Sequence, residues 1–380
     1  MNATFHVLSL PHTVTSKEYL ACAYTQKVLN LCKMLDMLGL NYYHYGNAGA
    51  TVNNHVTTIP PEVYAEVYGK YDWHRNFFAY DTSDKAYQTY YENTAKAIVD
   101  RAGSMNYVLC PWGWGNKPVL DRLPCNNRFI GVESGIGYES IFSNYRVFES
   151  YAWMHHVYGL GGIKNICYYD AVIPNYYDVA DFTPGPKNDY VLYLGRLIPR
   201  KGIGILCDLA RRMPKVNFVL AGQGSLDEFN PPPNCVHIGY VDLEHRRNLL
   251  AGAKALITPT IYLEPFGGVT VEALLSGTPI LTTDVGAFTE NNVNGLTGYR
   301  FRTLSEAEVG LRDILDGAID YGYCRDYAVK NFSLERVSRM YQAYFDRLDT
   351  IYNGDNGWYA PKSNDPAMTF LDRYTRFRCS

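Results

Sequence analysis

The sequence predicts an α/β protein with two Rossmann-like, doubly wound domains that face a cleft. Three observations support this fold class: a β-α-β pattern opens the chain, a break rich in proline and glycine lies near its middle, and a clear strand-helix alternation follows. The 380 residues are 47% hydrophobic, which suffices for two cores. We expect domains at 1–182 and 189–350, and the tail 354–380 is a candidate to pack on the first.

The first domain begins with a predicted strand, helix and strand. Residues 5–10 form an apolar run typical of a buried strand, and Thr15 with Glu18 has the spacing of a capping box at a helix start. Apolar residues then recur at helical spacing until Gly39, where we expect the helix to end. Residues 41–45 read as the next strand, so the opening unit is typical of a parallel sheet.

The remainder of the first domain is less regular. Residues 47–80 have little periodicity, which predicts loops and short helices. Further strands are expected at 107–110, 129–132 and 171–173, and a helix at 146–157. These elements extend the same sheet.

The second domain follows the polar Pro/Gly-rich break between Asp181 and Asp189. Ligands of doubly wound sheets bind at the carboxyl ends of the strands, so two such domains predict an interdomain ligand site. The predicted strands of this domain are 190–194, 217–221, 236–238, 255–258 and 279–282.

Charge and composition exclude some classes of protein. The 35 basic and 38 acidic residues give a formal net charge of -3, which does not favour a broad phosphate-backbone or anionic-membrane binder. The nine cysteines lack CxxC pairs, which favours reduced thiols. The first ten residues lack the basic region of a signal peptide, and no apolar run reaches the roughly 18 residues of a membrane helix. We therefore expect a cytoplasmic protein without a membrane segment.

Cations follow the first strand of the second domain. Gly195 makes a turn there, and Arg196, Arg200 and Lys201 come within six positions of it. Glycine allows close backbone approach, while arginine and lysine stabilise negative charge on a diphosphate. These residues predict a diphosphate site, with an ordinary basic surface turn as the alternative.

The segment 259–279 holds the most informative pattern. Gly267 and Gly268 are predicted to open a helix, so that backbone N–H groups and the positive end of the helix dipole face a phosphate. Glu264 precedes this helix and Glu272 lies about one turn inside it. One carboxylate can then reach a sugar while the other reaches ribose hydroxyls.

These motifs resemble a known family. The strings GRLIPRKG, LAGQG, IGYV, PTIYLEPFGGVTVEALLSGTPI and TTDVGAFTENNVNGLTGY resemble the C-terminal domain of retaining GT-B glycosyltransferases, most closely glycosyltransferase family 4 with its Glu-x7-Glu signature. The resemblance covers roughly residues 190–300 and implies the GT-B fold, a UDP- or GDP-sugar donor, and no metal or other cofactor.

The resemblance also implies roles for particular residues. Arg196 and Lys201 would stabilise the diphosphate, Glu264 would contact the donor sugar, and Glu272 would bind the ribose. The other donor-binding candidates in this domain are Gly222, Tyr240, Val241, Phe266, Gly267, Gly268 and Val269.

The first domain departs from the family pattern. Relatives place a glycine-rich loop after the first strand, whereas this chain has His12 and Thr13, which are candidates to meet the diphosphate across the cleft. Relatives also place a histidine after a middle strand. Here Glu133 stands in that region, and His155 or His156 is the alternative source of the sugar contact.

Each of these candidates also has a structural interpretation. His12 can cap a turn, Glu133 can pair with Arg146, and adjacent histidines on a helix point to different sides, so at most one of them faces the cleft. The aromatic residues Trp112, Trp114 and Tyr138 are candidates to stack on an acceptor sugar or base, or to pack between domains.

The resemblance implies transfer of a sugar, with retention, to an acceptor hydroxyl. The expected acceptor is a glycan or glycan precursor, with a small metabolite or a hydroxylated base of viral DNA as alternatives. A protein that binds sugar nucleotides or glycans without catalysis is the alternative of another class. The sugar, the base and the oligomeric state are not predicted.

Overall fold

The computed structural model describes most of the chain. Its described residues are 3–19, 22–72, 76, 78–125, 129–165 and 169–352. The predicted tail 354–380 and its packing lie outside them. Within the described residues the chain forms two parallel sheets of seven and six strands, flanked by helices, which confirms the predicted α/β class with two Rossmann-like domains.

The first sheet has the order β3-β2-β1-β4-β5-β6-β7, with all neighbours parallel. Its strands are β1 (Thr4–Leu8), β2 (Tyr42–Asn47), β3 (His55–Ile59), β4 (Asn106–Leu109), β5 (Phe129–Ile136), β6 (Tyr145–Phe148) and β7 (Asp170–Val172). The helices of this part are α1 (Ala23–Met37), α2 (Pro61–Tyr68), α3 (Lys85–Asp100), α4 (Lys117–Leu120) and α5 (Tyr151–Leu160).

The second sheet has the order β10-β9-β8-β11-β12-β13, again all parallel. Its strands are β8 (Val191–Leu194), β9 (Phe218–Ala221), β10 (Cys235–His237), β11 (Ala255–Thr258), β12 (Ile280–Thr283) and β13 (Gly298–Phe301). The helices that follow are α6 (Ile203–Arg212), α7 (Leu243–Gly252), α8 (Gly268–Leu275), α9 (Phe288–Asn291), α10 (Leu304–Leu315), α11 (Tyr321–Phe332) and α12 (Leu334–Tyr352). None of the helices in the described part is both long and apolar enough to cross a membrane.

Helix α12 returns to the first domain. Its residues Val337, Tyr341 and Phe345 are buried in the same core as β1 and α1, and the Phe345 ring lies 4.8 Å from that of Phe5. The predicted second domain, 189–350, thus ends in a helix whose apolar side belongs to the first core. The domain limits themselves stay a prediction.

The predicted start of the first helix is wrong. Helix α1 begins at Ala23, eight residues after the predicted cap at Thr15. The Thr15 hydroxyl instead bonds to His44 on β2 over 3.0 Å, and the Thr15 carbonyl accepts from the Thr51 N–H over 2.9 Å. These contacts hold residues 11–19 against the sheet as a loop. The predicted end is confirmed, since Gly39 follows the helix with a φ of 61°.

The predicted helix at 146–157 is partly wrong. Residues 145–148 are strand β6, because Val147 and Phe148 are fully buried between β5 and β7. Helix α5 begins only at Tyr151, where the Ser150 hydroxyl accepts the Trp153 N–H over 3.1 Å. Strands β3 and β13, at the sheet edges, are absent from the prediction, and β5 runs four residues beyond its predicted end.

Candidate functional site

The carboxyl ends of strands from both sheets border one cleft of about 1680 Å³ between the two domains. This is where doubly wound sheets bind ligands. The predicted site residues that line it are Arg196, Lys201, Gly222, Tyr240, Val241, Glu264, Phe266, Gly267, Gly268, Val269, Glu272 and His156. Every candidate from the second domain therefore lies on the cleft. Of the first-domain candidates, His156 and the aromatic residues Trp112, Trp114 and Tyr138 line it, whereas the remaining four do not: His12, Thr13, Glu133 and His155.

Lys201 and Glu264 form an ion pair in the wall of the cleft. Lys201 ends a short turn after β8, and its Nζ donates to the Glu264 carboxylate over 2.8 Å and to the Tyr262 hydroxyl over 2.9 Å. The Arg200 guanidinium also lies 5.0 Å from the centre of the Tyr262 ring. Burial, with the Glu264 carboxylate nearby, raises the pKa of Tyr262 above its ordinary value, so this hydroxyl stays protonated. The arrangement places positive charge beside a carboxylate and a neutral hydroxyl.

Two glycines begin helix α8 as predicted. Gly267 is the N-cap, with a φ of 78° that favours glycine, and a Cβ there would lie 2.4 Å from the Phe288 ring. A Cβ on Gly268 would lie 2.6 Å from the Tyr177 hydroxyl. The first N–H groups of a helix lack partners within it, so this start offers donors and a positive dipole end to an anion.

Phe266 and Val269 flank these glycines differently. Phe266 is buried, and its ring stacks 6.4 Å from Tyr177 and meets Phe332 edge-on at 5.8 Å. Val269 is half-buried beside the same core. Phe266 therefore supports the loop from behind, although it also borders the cleft.

The ends of two strands approach each other closely at Gly222, and a residue with a side chain would not fit there. A Cβ at Gly222, whose φ is 144°, would lie 1.9 Å from the carbonyl oxygen of Gly195. The Gly222 carbonyl also accepts a hydrogen bond from His237 Nε2 over 2.9 Å. Tyr240 and Val241 follow β10 and are half-buried in the same wall. The turns after β8 and β9 thus pack on each other and form one surface.

Glu272 has a partner that the sequence did not reveal. Arg246 on α7 forms an ion pair with the Glu272 carboxylate, with Nε at 2.8 Å from Oε2. Arg246 lines the cleft, whereas its neighbour Arg247 bonds to Asp181. A basic pair on a helix was visible in the sequence, but only the structure shows which member faces the site.

Glu133 does not line the cleft. It lies inside β5, fully buried, and its carboxylate accepts from the Tyr138 hydroxyl over 3.0 Å and from the backbone N–H groups of residues 142–143 over 3.0 and 2.8 Å. Burial raises the pKa of Glu133. The suggested partner Arg146 pairs with Asp170, with its Nε at 2.7 Å. This placement does not support a sugar contact, and we assign Glu133 a structural role.

His12 and Thr13 also lie behind the cleft surface. His12 is buried, its Nδ1 bonds to the Tyr87 hydroxyl over 2.8 Å, and its ring stacks on Tyr80 with centroids 4.9 Å apart. The Thr13 hydroxyl bonds to that of Thr25 over 2.7 Å. Neither residue lines the cleft, so the predicted contact with a diphosphate does not match the geometry.

The buried His12 gives the fold an expected pH dependence. Burial lowers its pKa from 6.5 to about 3, so the folded chain keeps this ring neutral while the unfolded chain takes up a proton below pH 6.5. His12 therefore supports folding fully above pH 6.5 and loses this effect as the pH falls toward 3.

We expect His12 to lower the free energy of unfolding by about 1 kcal/mol between pH 6.5 and 5.5. The measurement is urea unfolding at pH 7.0, 6.5 and 5.5, for the native chain and for His12→Gln, which cannot titrate. The variant should show the shallower pH dependence. Equal pH dependence in both chains would contradict a neutral buried His12.

The two adjacent histidines point to different sides, as predicted. His156 lines the cleft, with Nε2 3.3 Å from a Glu139 oxygen and its ring 4.8 Å from that of Trp153. His155 is exposed and does not line the cleft; its ring lies 6.3 Å from that of Tyr151. His156 is thus the histidine of this pair that a ligand can reach from the cleft.

A charged pair from the first domain lines the cleft and was not predicted. Lys27 on α1 bonds to the Glu149 carboxylate and donates to the Gly135 carbonyl over 2.7 Å. Only 5% and 6% of the Lys27 and Glu149 side chains are exposed. Ser150, next to Glu149, donates its hydroxyl to the Pro265 carbonyl over 2.7 Å. This pair is therefore joined to the loop that carries Glu264.

The second domain is similar to a known protein family. Residues 179–328 match the family model for glycosyl transferases group 1. Among curated proteins, the chain is 32% identical over 188 residues to a phosphatidyl-myo-inositol mannosyltransferase of Mycolicibacterium smegmatis, covering 45% of this chain and 48% of that protein. It is also 32% identical over 140 residues to a glycogen synthase of Mycobacterium tuberculosis, covering 33% and 34%. The chain thus spans less than half the length of these relatives.

Solved structures match over nearly the whole chain. A glycosyltransferase involved in Avilamycin A biosynthesis superposes with a TM-score of 0.68 at 22% identity, covering 91% of this chain and 97% of that one. The Anabaena protein HepE in complex with UDP and glucose superposes with a TM-score of 0.63 at 16% identity, covering 92% and 100%. These matches show that the fold is the GT-B fold.

Proposed function

We propose that this protein is a retaining glycosyltransferase that moves a sugar from a nucleoside-diphosphate sugar to an acceptor hydroxyl. One observation carries the proposal: two cations, two carboxylates and a glycine-started helix converge on one cleft between the domains. A pair of carboxylates alone would fit many kinds of ligand site. Together with Arg196, Lys201 and the start of α8 in the same cleft, it fits a ligand that carries a diphosphate, a ribose and a sugar.

The donor binds along the wall of the second domain. Arg196, Lys201 and the N–H groups at the start of α8 neutralise the diphosphate, and Glu272, oriented by Arg246, accepts from the ribose hydroxyls. Glu264 contacts the sugar. The complex of the Anabaena protein with UDP and glucose supports a UDP-sugar as donor. Within the described residues no three His, Cys, Asp or Glu side chains form a metal-binding group, and metal independence is part of the proposal.

The acceptor enters from the first domain. Its hydroxyl attacks the sugar C1 from the face on which the diphosphate leaves; the old C1–O bond breaks, and the acceptor proton passes to the departing diphosphate. The cations hold the charge that develops there. We propose a glycan or glycan precursor as acceptor and the cytoplasm as location. Free thiols at seven described cysteines suit a reducing compartment.

The test is a panel of UDP- and GDP-sugars, each incubated with the full chain and mixed saccharide acceptors. We expect one donor to release its nucleoside diphosphate slowly by hydrolysis alone and faster by transfer when acceptor is present. The new glycosidic bond should have the anomeric configuration of the donor by NMR. Binding of a nucleotide sugar without any turnover would instead support the non-catalytic alternative. An inverted product would contradict retention while leaving transfer intact.

A further inference from the structure

Several aromatic side chains line the first-domain side of the cleft, and four of them form a series along it. We name Tyr24, Trp112, Trp114 and Tyr138 the aromatic wall. The Tyr24 ring lies 5.0 Å from that of Trp112 and 6.4 Å from that of Tyr138. Trp114 stands at the outer end and is 52% exposed. An exposed indole that borders a ligand cleft offers a flat apolar face and a polar N–H to a partner in that cleft.

The polar atoms of the wall bond to the protein interior. The Trp112 Nε1 donates to the Tyr87 hydroxyl over 3.1 Å, and the Tyr138 hydroxyl donates to Glu133 over 3.0 Å. These bonds fix both rings, so the cleft receives mainly ring surface from them. Gly113 packs against the Tyr138 ring, with a φ of 56° and a Cβ position 2.7 Å from it. Trp114 follows Gly113 in the chain, and its ring meets that of Phe142 edge-on at 6.0 Å.

The inner end of the wall meets the donor loop. The Lys27 Nζ lies 4.5 Å from the centre of the Tyr24 ring and bonds to Glu149. Glu149 precedes Ser150, whose hydroxyl bonds to the Pro265 carbonyl beside Glu264. The aromatic wall thus begins near the loop that carries Glu264. Beside it lies the Lys27–Glu149 pair, whose charged groups can bond to sugar hydroxyls, and the wall ends at the exposed indole of Trp114.

We infer that the aromatic wall binds an acceptor saccharide of at least two sugar rings, whose outer ring stacks on Trp114. The apolar C–H face of a sugar ring covers an aromatic ring, while its hydroxyls bond to charged groups at the edge. Contacts lead from Lys27 to Tyr24, from Tyr24 to Tyr138, and from Tyr138 to Gly113, which precedes Trp114 in the chain. The inferred ligand therefore has one sugar ring at each end of this series. This inference rests on the proposed function.

Charge favours a saccharide over a nucleic acid. Glu139, beside His156, and Glu149 both line this half of the cleft, and carboxylates repel a phosphate backbone. Cations are present too, because Lys117 lies 5.4 Å from the centre of the Trp114 ring and Arg122 lines the cleft. A cleft edge that carries both positive and negative side chains suits a ligand with many hydroxyls and little net charge.

The experiment compares acceptor length in the native chain and two variants. The probes are glucose, galactose, mannose and N-acetylglucosamine with their α- and β-linked di- and tetrasaccharides, assayed with the donor that the panel identifies. We expect the best di- or tetrasaccharide to have a KM at least tenfold below that of the best monosaccharide. Trp114→Ala should abolish this advantage by raising the KM of the longer acceptor, and Trp114→Phe should restore part of it.

Tyr323→Ala is the matched control, because Tyr323 is an exposed aromatic residue on α11 that does not line the cleft. It should keep the native KM ratio. Equal KM values for mono- and tetrasaccharides, no effect of Trp114→Ala, or transfer only to single-stranded DNA carrying hydroxymethylated bases would overturn the inference. Release of nucleoside diphosphate in the same samples separates the two proposals. Its absence with every donor and acceptor contradicts the proposed function, whereas its release by transfer without a length preference contradicts only the acceptor site.

Discussion

Glu264→Gln is expected to lower kcat for sugar transfer by about 100- to 1000-fold while the nucleotide sugar still binds. This is the loss seen when one preorganised electrostatic contact to a transition state is removed, about 3 to 4 kcal/mol. The neutral amide keeps the shape and still accepts from Lys201 Nζ, now 2.8 Å from the carboxylate. What it loses is negative charge facing a sugar ring that becomes positive as the C1–O bond breaks.

The measurements are kcat under saturating donor and acceptor, and the donor Kd by calorimetry. Glu308→Gln is the matched control, because Glu308 pairs with Arg312 in the same domain and does not line the cleft. It should have native kcat. Native kcat in Glu264→Gln would remove this residue from the site, and an equal loss in both variants would indicate a general loss of folding.

The donor side of the site was predictable because its chemistry is local in sequence. A strand end, a glycine turn and cations stand within 194–202, and the helix start at Gly267 carries its own phosphate-binding groups. Each of these segments faces the cleft in the structure. Arg246 was missed because its relation to Glu272 depends on how α7 and α8 pack, which no spacing in the sequence encodes.

On the proposed acceptor side the aromatic candidates line the cleft as expected, but the charged groups were poorly predictable for the opposite reason. Lys27 and Glu149 are 122 positions apart, and neither belongs to a motif. Glu133 was expected to be accessible because the predicted strand ended at Val132, the residue before it. In the structure β5 continues to Ile136 and buries this carboxylate. His12 follows β1, where a ligand loop was expected, but surrounding aromatic rings cover it.

The fold was predicted well in outline and poorly at the edges. Fully buried strands such as β8 and β11 have continuous apolar runs that periodicity detects. Two of the four edge strands, β3 and β13, were missed because polar residues interrupt their apolar runs, whereas the other two, β7 and β10, were predicted. The apparent capping box at Thr15 does not start a helix, because Thr15 is buried and its hydroxyl bonds to His44 on another strand. Tertiary contacts can therefore override a local helix-capping motif.

Lys201→Met is expected to lower kcat/KM for transfer by about 100- to 1000-fold and to weaken binding of the free nucleoside diphosphate by about tenfold or more. Lys201 Nζ is the cation held between Tyr262 and Glu264, so its loss removes charge from the departing diphosphate and leaves the Glu264 carboxylate without this partner. Loss of the cation opposes the transition state, in which the diphosphate gains negative charge, more than it opposes the bound donor.

The comparison that isolates this role is Lys201→Met against Lys254→Met. Lys254 pairs with Asp189 in the same domain and does not line the cleft, so its variant should retain native kinetics and UDP or GDP affinity. If Lys201 acts on the diphosphate, its variant should lose more affinity for the nucleoside diphosphate than for the nucleoside, which carries no phosphate. Equal losses for both ligands would mean that Lys201 only maintains the loop, and the charge on the departing diphosphate would then have to be held by Arg196 and the start of α8.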